Sequence, residues 1–219
     1  MLKNLLRIYI LYRLSIIIAL VGGGILLQLY VDTITAVLCY IAAAVSLVLY
    51  FMIGTMRLVQ EAVQDGDVEG AQLYLSKIRF PRLLFKPVRA AYYMLQSNLA
   101  LTSNDLGKAE ESIQKSLKTK SKLAGDTEGA NLMQLGFIQL KKGDLKAGRE
   151  TLLAAVKAGI PDTEALAGVY LQLCSIEIHR RQNRIAKEYF KKAKALKPKN
   201  EELVNQIKMM DKQIARIPG

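Results

Sequence analysis

Residues 129–162 have the sequence GANLMQLGFIQLKKGDLKAGRETLLAAVKAGIPD. Apolar segments flank the turn residues Gly143 and Asp144, and within each segment apolar side chains recur every three or four positions. This spacing predicts an amphipathic helix on either side, and a Gly-Asp pair is typical of the turn between two helices. The stretch is therefore predicted to form a helix, a tight turn and a second helix.

The same pattern recurs along the chain. A small residue, which lets the two helices of a pair cross closely, returns at spacings of 38, 39 and 38 residues, at Ala71, Ala109, Gly148 and Ala186. A larger apolar residue follows four positions later each time, as Leu75, Ile113, Leu152 and Phe190. Turn residues come just before: Gly66-Asp67, Asn104-Asp105, Gly143-Asp144 and, shifted by one position, Gln182-Asn183. One helix pair cannot bury its apolar faces alone, so the pairs are predicted to stack into an α-solenoid.

Because of these recurring small, apolar and turn residues, residues 58–200 resemble the tetratricopeptide repeat (TPR) family. The period exceeds the family's ~34 residues, so the connections between units are expected to be longer. Departures from the family pattern are Gln96 and Ser97 in place of Leu-Gly, and Cys174 in place of glycine. The matching positions in the two units Gly129–Asp162 and Ala167–Asn200 are Leu132, Leu135, Gly136, Gly143, Asp144 and Ala155, then Tyr170, Leu173, Ala186, Phe190, Ala193 and Pro198.

The resemblance implies an all-α, non-catalytic domain that binds other proteins in a concave groove lined by the first helix of each unit. The implied groove is mostly apolar and suits an amphipathic helix or an apolar peptide. An alternative is that some of its residues are core or are covered by the last helix, residues 201–219, which is expected to cap the solenoid or else to engage a partner. The implied partner-binding positions are Met94, Asn98, Leu101, Met133, Phe137, Leu140, Leu171, Ser175 and Ile178.

Residues 1–56 are predicted to form a transmembrane hairpin. Residues 14–31 and 33–56 are free of charge, and a bilayer core needs about 20 apolar residues in a helix. Lys3, Arg7, Arg13 and Arg57 flank the spans, and the connecting loop has no basic residue, so the positive-inside rule places both termini in the cytoplasm. The sequence therefore predicts an integral protein of the bacterial inner (cell) membrane.

Two details of the hairpin are also predicted. Residues 22–24, all glycine, are expected to face residues 42–44, all alanine, because small residues let helices pack closely in lipid. The second span is expected to pass without interruption through residues 54–58 into the first helix of the repeat domain, residues 57–200.

A basic and aromatic segment lies between the first two repeats. By helix length it is predicted to lie near the bilayer and to contact anionic lipid, each basic residue contributing about 1 kcal/mol. The alternative is an ordinary inter-repeat loop whose apolar residues are core. The predicted membrane-surface residues are Arg79, Phe80, Arg82, Phe85, Lys86 and Arg89.

The sequence contains no catalytic, metal or cofactor signature. His179 is the single histidine, and neither cysteine has a neighbour at ligand spacing. No enzyme activity and no small-molecule substrate are expected.

We predict a membrane-anchored adaptor or scaffold that binds protein partners. One alternative is a structural subunit of a larger membrane complex that assembles through its hairpin. The other is a membrane-tethered nucleic-acid binder, which rests only on the net charge of +10 carried by residues 57–219.

Overall fold

The computed structural model describes residues 2–30, 33–53, 56–119 and 127–216, and within them the prediction of an all-α chain is confirmed. The helices are α1 (Leu2–Tyr30), α2 (Thr33–Ile53), α3 (Met56–Gln64), α4 (Val68–Ser76), α5 (Lys86–Thr102), α6 (Leu106–Lys118), α7 (Glu128–Lys141), α8 (Leu145–Ala158), α9 (Thr163–His179), α10 (Asn183–Ala195) and α11 (Glu201–Ile214). A short 3-10 helix, Pro81–Leu83, lies between α4 and α5. The chain divides into two compact units, Met1–Leu99 and Ala100–Gly219.

In the first unit α1 and α2 pack against each other. Residues Thr33–Tyr50 of α2 have a mean hydropathy of 2.1 and are long and apolar enough to cross a membrane, whereas the apolar stretch Leu14–Tyr30 of α1 is shorter. The predicted continuation of the second span into the repeats depends on residues 54 and 55, which lie outside the described residues.

The small residues of the hairpin do not meet as predicted. Gly24 faces Tyr40, since a Cβ atom at Gly24 would lie 2.7 Å from the ring atom Cε1. The Tyr40 hydroxyl donates to Gln28 Oε1 at 3.1 Å. A Cβ at Gly22 or at Gly23 would have no neighbour within 4 Å. At this point of the hairpin a glycine thus lies against an aromatic ring and not against an alanine.

The rest of the first unit is built on a separate core. Helices α3 and α4 form the first helix pair, and buried side chains of α5 complete its cluster. Ile78 and Leu84, on the connection between α4 and α5, are also buried in this core. The buried residues of this cluster are Met56, Val59, Ala62, Ala71, Leu75, Ile78, Leu84, Tyr92, Leu95 and Leu99.

The second unit continues the pairs: α7 packs on α8 and α9 on α10. Adjacent pairs also meet, α6 with α7 and α8 with α9, as a solenoid requires. In the α7–α8 pair a Cβ at Gly136 would lie 2.7 Å from Cδ2 of Leu152, and one at Gly148 would lie 2.5 Å from Cδ2 of Leu140. The small residue of the repeat is therefore required by close helix crossing, as the sequence predicts.

The turns between paired helices share one geometry. A residue with positive φ ends the first helix, and the next residue donates its N–H to the carbonyl five positions earlier, which is the Schellman arrangement. In three turns an aspartate then caps the second helix by accepting from the N–H three residues on. The positive-φ residues are Gly66, Asn104, Gly143 and Arg181, at +73°, +57°, +88° and +59°.

The fourth turn corrects a sequence prediction. Its bend is at Arg181, with Gln182 as the capping residue, so it is in register with the others and is not shifted to Gln182-Asn183. The prediction followed the turn-favouring Asn183 and placed the turn one residue late. Backbone hydrogen bonding decides the position, because the N–H of Gln182 bonds to the Glu177 carbonyl at 2.8 Å.

Restoring the missing cap at this turn should stabilise the chain. Gln182 makes no side-chain cap, whereas Asp144 accepts from the N–H of Ala147 at 2.9 Å. Gln182→Asp is expected to add about 1 kcal/mol to the free energy of unfolding. The melting temperature of the detergent-solubilised chain, measured by circular dichroism, should rise by about 2–4 °C. As the matched control, Asp144→Gln should lower it by a similar amount; no change in either variant would show that these caps contribute nothing.

Candidate protein-binding site

One face of α7 carries the clearest apolar stripe of the second unit. Met133, Phe137 and Leu140 follow one another at helical spacing and are all half-buried. Their inner sides pack against a core cluster that includes Leu152 of α8 and Leu173 of α9. These three side chains therefore support the fold and also present apolar surface to solvent.

On α9 the predicted face is partly covered. Leu171 is only 2% exposed and belongs to a core cluster of α9 and α10 side chains, against which α11 packs. Ile178 is half-buried against the same cluster, and a Cβ at Gly168 would lie 3.8 Å from Leu203 of α11. Ser175, which lies between Leu171 and Ile178 in the sequence of α9, is also half-buried. The burial of Leu171 beneath α11 fits the alternative in which some groove positions are core or are covered by the last helix.

The remaining predicted positions lie on α5. Leu101, in the second unit, is half-buried. Met94, in the first unit, is half-buried, and Asn98 is exposed. Among the predicted positions of the second unit, the structure thus leaves Leu101, the α7 stripe, Ser175 and Ile178 with solvent-accessible surface.

A buried ionic cluster that the sequence analysis missed joins α8 and α9. The Glu177 side chain is 0% exposed and accepts from Arg149 Nε, and Arg180 Nη1 lies 3.2 Å from Glu177 Oε2. Arg149 and Arg180 line an adjacent open cleft together with Leu145, Lys146 and Glu150. The available signal was the position of Glu177, four residues after Leu173 on the buried stripe of α9, where an apolar residue is expected.

The cysteine at the repeat position usually occupied by glycine is inert. Cys174 is buried in the cluster shared by α9 and α10. Burial raises the pKa of its thiol from 9.0 to about 11, so the nucleophilic thiolate is scarce at neutral pH. In the part of the chain that the structure describes, no group of three or more His, Cys, Asp or Glu side chains is placed to hold a metal ion.

The predicted membrane-surface residues lie on the connection between α4 and α5 and in the first turn of α5. Arg79, Phe80, Arg82, Phe85 and Lys86 are exposed. Arg89 is different: it is half-buried and its Nη1 donates to the Arg82 carbonyl at 2.8 Å. Arg89 therefore holds the connection in place, whereas the other basic side chains project from it.

Comparison with known proteins supports the fold alone. No family model matches the chain, and no curated protein matches it. Among solved structures it is similar to a chain in the crystal structure of the APC/C hetero-tetramer Cut9-Hcn1, with a TM-score of 0.58 and 17% sequence identity. The similarity covers 87% of this chain and 35% of that chain. Cut9 contains TPR repeats, which supports a TPR-like helical repeat fold here.

Proposed function

We propose that this protein is a membrane-anchored adaptor that binds a protein partner on the first helices of the repeats in its second unit. The observation that carries the proposal is the half-buried apolar stripe of Met133, Phe137 and Leu140 on α7. A stripe of this length and spacing fits the apolar side of an amphipathic helix or an extended apolar peptide. The similarity to a subunit of a protein complex supports a protein, and not a small molecule, as the ligand.

The anchor in this proposal is the α1–α2 hairpin. Only 17% of the Thr33–Tyr50 stretch is buried, although it is almost entirely apolar. The core helix of a water-soluble protein is mostly buried, and large exposed apolar surfaces mark contact with a membrane or another protein. A bilayer on both sides of the hairpin accounts for this exposure. With the basic residues on one side, we propose an inner-membrane protein with both termini in the cytoplasm.

A blocking substitution at Ser175 tests the binding face. Ser175→Arg adds a long cationic side chain and removes only a hydroxyl group from a half-buried position, so folding should persist while partner binding falls at least tenfold. The control Ala154→Arg makes a comparable change at an exposed position on α8, a second helix of its pair. Proteins co-purified with the full chain from native membranes are compared by quantitative mass spectrometry. Equal recovery of all partners with both variants would exclude this face.

A second candidate function is a structural subunit that assembles through the hairpin. It is favoured by the open space at Gly22 and Gly23, where another helix has room to approach. In the same purification, Gly22→Leu should then remove the partner and Ser175→Arg should not. The two variants therefore separate the two functions.

A further inference from the structure

The segment between α4 and α5 has an unusual charge composition. From residue 70 to residue 104 the chain contains no aspartate or glutamate, yet it contains five basic residues. In the part of the chain that the structure describes, Arg79, Arg82 and Lys86 are exposed and form no salt bridge. A cationic surface without internal acids is complementary to an anionic one.

The same segment also exposes large apolar side chains. Phe80, Leu83 and Phe85 are 60%, 57% and 46% exposed, whereas Ile78 and Leu84 are buried in the core of the first unit. The backbone is thus held at two buried points, and the 3-10 helix Pro81–Leu83 between them turns the other side chains outward. Apolar side chains gain nothing from exposure to water, whereas the headgroup region of a bilayer accepts both apolar and cationic side chains.

The fold keeps this segment close to the proposed anchor. Met56 begins α3 and belongs to the core cluster that contains Ile78 and Leu84. The candidate span ends at Tyr50, six residues earlier. Six residues reach at most about 20 Å even when fully extended. The core that holds the segment is therefore tethered within a short distance of the bilayer.

We infer that residues 79–86 are an interfacial membrane-binding element. Phe80, Leu83 and Phe85 enter the boundary between headgroups and acyl chains, and Arg79, Arg82 and Lys86 bind anionic lipid headgroups. This inference rests on the proposed function, because the hairpin supplies the bilayer. Each cation should raise the bound-to-free ratio of the element about fivefold, so that the three together contribute about a hundredfold.

A single-tryptophan reporter tests the inference on the full chain. The protein contains no tryptophan. Phe80→Trp therefore places the only indole on the segment, and Met209→Trp places it on α11 at a side chain that is 69% exposed. Both variants are reconstituted into vesicles whose acyl chains carry bromine as a quencher. In anionic vesicles, the Phe80→Trp emission should shift to shorter wavelength and be quenched at least twofold more than that of the control.

Neutralising the charges should reverse the effect. Adding Arg79→Gln, Arg82→Gln and Lys86→Gln to Phe80→Trp should remove most of the quenching, as should zwitterionic vesicles or high salt. Quenching no greater than that of Met209→Trp overturns the inference. So does an emission change on adding a single-stranded oligonucleotide in place of anionic lipid.

Flotation separates this inference from the anchor. In high salt, the charge-neutralised chain should still float with vesicles if the hairpin spans the bilayer. Flotation without quenching of Phe80→Trp overturns the interfacial element and leaves the anchor intact. Loss of flotation together with salt-sensitive quenching by added anionic vesicles overturns the anchor and supports the element.

Discussion

Changing Gly129 to alanine is expected to lower the melting temperature of the chain by about 5–10 °C. Gly129 lies in the first turn of α7, and a Cβ atom there would be 1.8 Å from the carbonyl oxygen of Gly159. A backbone carbonyl cannot rotate away from the new methyl group as a side chain could. The first turn of α7 must therefore move away from the end of α8. We expect a loss of about 3 kcal/mol from this overpacking, offset in part by the better helix propensity of alanine.

The same substitution elsewhere in the chain provides the control. Gly107 lies in the first turn of α6 and is exposed, and a Cβ there would be 3.7 Å from Asp105 Oδ1, an ordinary contact. Gly107→Ala should therefore be neutral or raise stability by up to about 1 kcal/mol. Thermal melting followed by circular dichroism measures both variants. Equal behaviour of the two would show that α7 and α8 do not approach each other at Gly129.

Removing one partner of the buried ionic cluster should have an effect of similar size. Arg149→Met leaves the fully buried Glu177 carboxylate with only the half-exposed Arg180. An uncompensated buried charge costs about 3–5 kcal/mol, and we expect the lower end because Arg180 remains. Glu177→Met should cost less, about 1 kcal/mol, because Arg149 is 24% exposed and its guanidinium can turn to water.

The double variant Arg149→Met/Glu177→Met is the deciding measurement. With no buried charge left, it should be about as stable as Glu177→Met alone, so that the coupling energy is about 3 kcal/mol. Arg184→Met is the surface control, since Arg184 pairs at 3.8 Å with Glu188 and its side chain is 93% exposed. It should cost less than about 0.5 kcal/mol. Additive effects at Arg149 and Glu177 would show that the pair does not interact.

The sequence by itself determined the elements and their order. The positions that recur every 38 or 39 residues are local and periodic, and each follows a turn of the same geometry. Helix type, pairing and the apolar character of α2 follow from neighbours within a few residues along the chain. The stripe of Met133, Phe137 and Leu140 on α7 was named from the resemblance to TPR repeats, which implies that the first helix of each unit lines the groove.

Tertiary structure decided what depends on residues far apart in sequence. Leu171 is core because α11, about 30 residues later, packs over it. Glu177 tolerates burial because Arg149 arrives from α8, 28 residues before, and adds a second cation to the neighbouring Arg180. Gly24 meets Tyr40, although side-chain size alone favours an alanine as the neighbour of a glycine. In each case a residue keeps the same sequence neighbours whether or not the distant contact forms, so its burial is fixed by packing between helices and not by local pattern.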